Sequence, residues 1–292
     1  MSSSFDADKC VAQLYERHAP TLRARASAGG SGLFVLIDPL TGDPLVGEPL
    51  PADQDAATLN ALRSKGWDRA CHTLSLPPLL ELDAALAPYL VELSGSDDPW
   101  LEATLEWALR ETVRSWQAPA DGQPAHRVGA WLHSAAFGPM LAQKLSGWLA
   151  LSTRAHTGAR YLRLADRRVW GLVLNVLGEA AVAQRLPPVQ SWQWIDAHAA
   201  CCELNAAPAG EASMSDDAAL IRFSEAQWAL LARGAQAHGH LAQQRGLRLT
   251  DPSDNPARWA PVSAAQWRHA LQTAGTAKKS PHKNVPQEGN LA

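Results

Sequence analysis

What this sequence lacks narrows it first. Nowhere do its 292 residues hold a run of about 18 apolar side chains, the length a helix needs to cross a bilayer. The N-terminal MSSSFDADK has no basic stretch followed by an apolar one, so no secretory leader is expected and the expected location is the cytoplasm. Charge of one sign is missing too. Lys and Arg number 26 against 29 Asp and Glu, a formal net charge of -3, and basic residues gather only in KKSPHK at 278–283. A nucleic-acid partner, which calls for a basic face or stripe, is therefore not expected, and neither is a membrane.

Cysteine is scarce: Cys10, Cys71, Cys201 and Cys202 are the only four. Vicinal Cys201 and Cys202 cannot easily bridge each other, and no C-x-x-C pair is present to suggest zinc. His198, three residues before Cys201, makes HAACC a metal candidate. Without a second spaced pair the expectation is small buried residues instead, and no metal or other cofactor is expected. Catalytic signatures are missing as well. G-x-S-x-G, G-x-x-x-x-G-K-[ST] and H-E-x-x-H do not occur, and the glycines of GGSG at 29–32 precede a strand, whereas a phosphate loop must lead into a helix.

What is present is a regular alternation of patterns. Val11, Leu14, Tyr15, His18 and Leu22 keep helical spacing behind Asp6 and Asp8 and predict a helix over 6–27. GLFVLIDP at 32–39 is a nearly continuous apolar run, as a strand buried on both faces requires. ATLNALRSKG predicts a short helix. ALAPYLVEL at 85–93 predicts a strand whose pairing begins beyond Pro88, because proline has no donor for the ladder. DDPWLEATLEWALRETVRSW at 97–116 is the plainest helix. Asp97 or Asp98 caps it, Pro99 suits the first turn, and Leu101, Leu105, Ala108, Leu109, Thr112 and Trp116 form one stripe. RVGAWLHS (127–134), FGPMLAQKLSGWLALS (137–152), ARYLRLA (159–165) and RRVWGLVLNVLG (167–178) then read strand, helix, strand, helix, before a last strand SWQWI at 191–195.

Strands alternating with helices predict an α/β fold, a mixed sheet with at least some parallel neighbours. Past about residue 197 the composition shifts. AACCELNAAPAGEASMSDDAA predicts a linker, SEAQWALLARGAQAHGHLAQQRG one helix with Ser224 and Gln227 as a capping box, and SAAQWRHALQTAG another with Ser263 and Gln266. The expected organisation is an α/β body over 1–197, a small mainly helical lobe over 198–274, and a disordered tail over 275–292. Twelve tryptophans are the compositional oddity. Trp107, Trp116, Trp148 and Trp170 lie on predicted helix stripes and should pack in the core, although Trp and Arg also dominate interface hot spots.

The stretch YLRLADRRVW at 161–170 places an acid between a predicted strand and a predicted helix. An aspartate there can accept the free amides of the first helical turn and suits the positive end of the helix dipole. Arg163 and Arg168 stand where they could pair with Asp166 or with neighbouring carbonyls. The structural reading is favoured; a catalytic carboxylate and a polar docking site are the other two.

VGAWLHSAAFGPMLAQKLSGWL, then YLRLADRRVWGLVLNVL, then PPVQSWQWI together resemble the core of the DUF4123 family, the adaptor chaperones of bacterial type VI secretion. FVLIDP and LAPYLVEL resemble two earlier strands of that family, so the resemblance spans about residues 30–197. Its marks fall on Asp38, Pro88, Leu90, Val91, Ser134, Arg163, Asp166, Arg168 and Trp194. Two departures stand out: Leu164-Ala165 replaces an aromatic pair, and Arg167 replaces the proline after the aspartate. The resemblance implies a non-enzymatic protein without catalytic residues that binds a cognate secreted effector and helps load it onto the VgrG spike protein. In that family the segment after the body varies, so Trp228, Trp259 and Trp267 are candidate partner-binding residues here. An interaction protein unrelated to secretion, and an enzyme with a dispersed active site, are the alternatives.

Overall fold

The computed structural model describes residues 6–28, 32–45, 50, 54–76, 82–117, 126–151, 160–207, 223–245 and 260–276. Its frame is a six-stranded sheet. In chain order the elements are α1 (Ala7–Ala28), β1 (Gly32–Ile37), α2 (Ala56–Trp67), β2 (Cys71–Thr73), β3 (Tyr89–Leu93), α3 (Pro99–Gln117), β4 (Val128–Ser134) and α4 (Gly138–Ser146). They continue with β5 (Ala150–Leu151), β6 (Arg160–Tyr161), α5 (Arg167–Leu177), α6 (Glu179–Ala183), β7 (Val189–Ile195), β8 (Cys201–Asn205), α7 (Glu225–Leu231), α8 (Gly234–Gln244) and α9 (Ala264–Thr276). The strand order is β2-β3-β1-β4-β7-β8.

The α/β character expected from the sequence is what the fold has, but the expected parallel neighbours are absent among the described strands. Every pairing in the main sheet is antiparallel. Two of the helix-bearing connections, β1 to β2 and β3 to β4, do carry the chain from one strand to another of the same direction. Each crossing skips one position, however, and the position skipped is filled by a strand running the other way. An alternating β/α rhythm therefore does not by itself require parallel neighbours.

β1 is central and is covered on both faces, which is why it reads as one apolar run. Leu33, Val35 and Ile37 join Trp131 of β4 and the inner stripes of α1 and α3. Phe34 and Leu36 join Ala130, Leu132 and Trp192 under α4 and α5 on the opposite face. All six stripe residues predicted for α3 are buried. Its cap is Asp98, whose carboxylate accepts from the Trp100 and Ser94 amides and from Arg69. Tryptophans fill both layers. Trp67 sits edge-on to Trp100 and Trp107, and Trp170 stacks on Trp192 with ring centroids 4.2 Å apart.

Other departures from the expected pattern have local causes. The helix expected over 137–152 stops at Ser146, after which Trp148 and Leu149 turn into the core. Among the described residues the strand expected over 159–165 is reduced to β6, paired only with β5. Residues 162–166 instead form a turn that lies flat on the sheet, with Leu162, Leu164 and Ala165 buried. The expected linker contains β8, an edge strand in register with β7 from Ser191↔Asn205 to Ile195↔Cys201, so the sheet extends past residue 197. The single helix expected after Ser224 is two, α7 and α8, broken at Ala232-Arg233. Both capping boxes, Ser224 with Gln227 and Ser263 with Gln266, are formed. The helix carrying the second box runs to Thr276, and the rest of the expected tail lies outside the described residues.

Gly129 brings the turn to the sheet. Leu36 pairs with Ala130 and Ile37 with Val128, so Gly129 is the extra residue of a β-bulge. A side chain there would meet the Ala165 backbone, with a Cβ only 2.5 Å from the carbonyl oxygen and 2.9 Å from the Cα. Glycine lets the two backbones touch, and the touching turn delivers Asp166 to the head of α5.

Candidate functional site

The elements converge on the segment Arg163–Arg168. Asp166 is the N-cap of α5, its Oδ1 accepting from the Arg168 amide at 3.0 Å. The Arg168 guanidinium folds back onto the same carboxylate, Nε to Oδ1 at 3.0 Å and Nη2 to Oδ2 at 2.7 Å. Arg163 approaches it from the other side, Nη1 to Oδ2 at 3.3 Å, and also donates through Nη2 to Asp38 Oδ2 at 2.8 Å. Asp38, at the end of β1, accepts the Leu40 amide as well and so caps the turn at 39–41. Two fully buried carboxylates are thus matched by two partly exposed arginines in the order Asp38, Arg163, Asp166, Arg168.

Burial pushes both acids toward the neutral form, and their partners answer differently. At Asp166 the hydrogen bonds and charge of Arg168, helped by Arg163, overcome desolvation and hold the carboxyl far below the usual range. At Asp38 desolvation prevails over Arg163 and the carboxyl is raised. A carboxylate held down as strongly as Asp166, with both oxygens accepting, is a poor base, and the geometry favours its structural reading over the catalytic one.

Asp166→Ala is expected to lower the unfolding free energy by about 2 kcal/mol, the upper part of the range for losing a helix cap, because two arginines also lose their partner. Asp166→Asn, which keeps a capping oxygen, should lose less. Urea melts of the two variants check this, and equal losses would mean that the cap contributes nothing.

Arg167, noted from the sequence only as a replacement for proline, points the other way and is wholly buried. Its guanidinium donates to Thr112 Oγ1 at 2.7 Å, to the carbonyls of Ala108 and Ile195 at 3.0 Å each, and to His126 Nδ1 at 2.9 Å. Glu111 lies 3.5 Å away and is shared with Arg127. Desolvation raises the Glu111 carboxyl against the pull of Arg167, and it holds His126 neutral. One side chain therefore ties α5 to α3, to the end of β7 and to the residues leading into β4. Arg in place of Pro, directly after a capping acid, was the signal available in the sequence.

The remaining expected residues stand apart from this cluster. The Pro88 carbonyl accepts the Leu74 amide beside the edge of the sheet, where β3 begins as expected. Leu90 and Val91 are buried on opposite faces of β3. Ser134 Oγ donates to the Pro188 carbonyl and accepts the Ala136 amide. Trp194 packs edge-on to Trp170. Among the candidate partner residues, Trp259 lies outside the described residues. Trp228 is partly buried against Phe223. Trp267 is committed to the interior, 5% exposed among Leu172, Ala237, Leu241, Ala270 and Leu271, because α8 and α9 pair and close over the outer side of α5. The large apolar side chains most open to a partner among the described residues are instead Phe137 and Met140, at 62% and 51% exposure at the start of α4.

Where α8 and α9 meet the body, His198 and His238 stack at 5.8 Å, and Trp267 stands edge-on to His238 at 4.8 Å. Burial depresses both imidazoles, His238 to about 4 and His198 to about 3. An unfolded histidine titrates near 6.5, so above that pH both states are neutral and nothing is lost. As pH falls from about 6.5 toward about 4 the unfolded chain takes up protons that the folded chain refuses, and stability falls. His238 alone is expected to contribute about 3 kcal/mol of that loss. Urea melts between pH 7.5 and 4.5 check this, with His238→Asn expected to flatten the dependence.

Among the described residues no three His, Cys, Asp or Glu side chains are grouped to hold a metal ion, HAACC included, and no helix is long and apolar enough to cross a membrane. Compared with known protein families, curated proteins and solved structures, the chain matches none.

Proposed function

We propose that this protein is a non-enzymatic adaptor chaperone, one that binds a cognate toxic effector in the cytoplasm of the producing cell and helps load it onto the VgrG spike of a bacterial type VI secretion system. The observation that carries the reading is the meeting of Asp38, Arg163, Asp166 and Arg168. These marks of the resemblance to the DUF4123 adaptors come from places 125 residues apart in the sequence and form one ion-paired unit. A motif whose members share a single structural task is more than a chance run of letters. Its role in an adaptor is to hold the body rigid, leaving recognition to the surface, where Phe137 and Met140 offer apolar contact.

The test is co-expression with a candidate toxin and a VgrG spike protein taken from the genes neighbouring this one, followed by affinity capture and gel filtration; the absence of such genes from the neighbourhood counts against the reading. The expected result is a complex with the toxin that survives gel filtration and is weakened at least tenfold by the double change Phe137→Ala and Met140→Ala, the scale of a hot-spot contact. Capture of neither protein overturns the reading.

A further inference from the structure

The two edges of the main sheet differ. At one, β2 turns the amides of Cys71 and Thr73 outward and α2 covers both: the Cys71 amide donates to Ser64 Oγ at 3.0 Å and the Thr73 amide to Asn60 Oδ1 at 2.7 Å. At the other, β8 keeps an unbroken register with β7, extended at its two ends by the Asp196 amide donating to the Ala200 carbonyl and the Ala206 amide to the Gln190 carbonyl. Ladder bonds in an antiparallel pair fall on alternate residues, so the backbones of Cys202 and Leu204 face β7 and those of Cys201, Glu203 and Asn205 face outward. Among the described residues nothing meets the outward amides and carbonyls. Cys201, Cys202 and Glu203 are half-buried and Asn205 is exposed, so this edge is within reach of solvent.

Natural sheets blunt such an edge with a proline, a bulge or an outward charge. β8 has no proline and no bulge, and its one charge is turned aside: Glu203 Oε1 accepts from Gln193 Nε2 at 3.3 Å, and Oε2 faces Arg25 at 3.3 Å. A cleft of about 350 Å³ lies beside the first half of the strand, and its lining includes Cys201, Cys202, Glu203, Arg25, Glu179 and Val262. Arg25 and Glu203 satisfy each other there. Glu179, exposed at the start of α6, has no ion pair among the described residues.

We propose that the outer edge of β8 is a docking site for an extended segment of a partner protein, which joins the sheet as a further strand and sets a basic side chain in the cleft against Glu179. Main-chain pairing supplies affinity in this mode of recognition, and the pocket beside the edge supplies selectivity. A second copy of the chain fits less well. The two-fold register that pairs all of β8 with itself sets Glu203 directly opposite its own copy, and like charges so placed repel.

The probe is the peptide acetyl-TVKVTVKVT-amide, titrated into the full, isotope-labelled chain and followed by NMR. Two further peptides isolate the two contacts: in one the lysines are glutamates, and in the other every backbone amide is N-methylated and cannot pair. The expected result is saturable binding of the lysine peptide, tighter than either of the others by about tenfold or more. Exchange of the Cys201, Glu203 and Asn205 amides should slow on binding, whereas that of Cys202 and Leu204, already bonded to β7, should not change. Asn205→Pro, acceptable on an edge strand where the N–H points outward, should weaken the lysine peptide by about fivefold, and Glu179→Gln should narrow its advantage over the glutamate peptide. The comparison of peptides on the wild-type chain decides even if a variant fails to fold. Equal binding of the N-methylated or of the glutamate peptide overturns the proposal, and so does the absence of saturable binding. Protection of the same amides without peptide, growing as the chain is concentrated, would make the occupant a second copy and overturn it too. None of these outcomes depends on whether the protein is an adaptor.

Discussion

Arg167→Ala is expected to lower the unfolding free energy by about 3 to 5 kcal/mol, the loss found when one partner of a buried ion pair is removed. Thr112, Ala108, Ile195 and His126 each lose the donor they share, Glu111 is left to Arg127 and the Val128 amide, and a cavity opens where α3, α5 and β7 meet. Lysine is no substitute, because a single ammonium cannot reach acceptors spread around a planar fork. Arg167→Lys should therefore lose nearly as much as the alanine variant. Combining Arg167→Met with Glu111→Gln, which removes both charges, should recover part of the loss. Denaturant melts followed by tryptophan fluorescence check all three, and an Arg167→Ala loss below about 1 kcal/mol would refute the tie described for this side chain.

A chain ended after Ala197 should not fold. It lacks β8 and so leaves β7 as an uncovered edge, and it loses the Ala199 carbonyl that accepts from His18 Nε2 at 2.8 Å. A chain ended after Ala207 keeps the sheet whole but uncovers Leu172, over which α8 and α9 close. It should fold with lowered stability and bind a dye for exposed apolar surface. The pair separates two questions: whether the body is complete at residue 197, and whether the helices beyond it are a separate unit. A cooperative melt from the 197-residue chain would restore the boundary that composition suggested.

That boundary shows what the sequence hides. β8 is CCELN, a strand with one buried position in five, and an edge strand of small and polar residues has the composition of a loop. β2, three residues long, was equally invisible. By contrast β1, α3 and α5 were legible nearly to the residue, because each carries one uninterrupted periodic pattern and, in the helices, a capping acid. The same holds for Asp166 with Arg163 and Arg168, neighbours in sequence whose pairing is local. The Asp38–Arg163 pair was legible only as two marks of a resemblance, since nothing local ties residues 125 apart. Arg167 was under-read for a different reason. Its direction, inward and not toward Asp166, is set by acceptors on α3 and β7 that no local pattern names.

The place of β1 has a consequence for how the protein is made. It leaves the ribosome well before its two neighbours, β3 and β4, which are encoded far downstream. At about 5 to 20 residues per second, roughly 5 to 20 s separate the synthesis of β1 from that of β4. Through that interval LFVLI, five successive residues that end up buried, has at least its β4-facing edge unpaired. Such a segment is open to any other chain in the same condition, an exposure that the buried position of β1 in the finished sheet conceals.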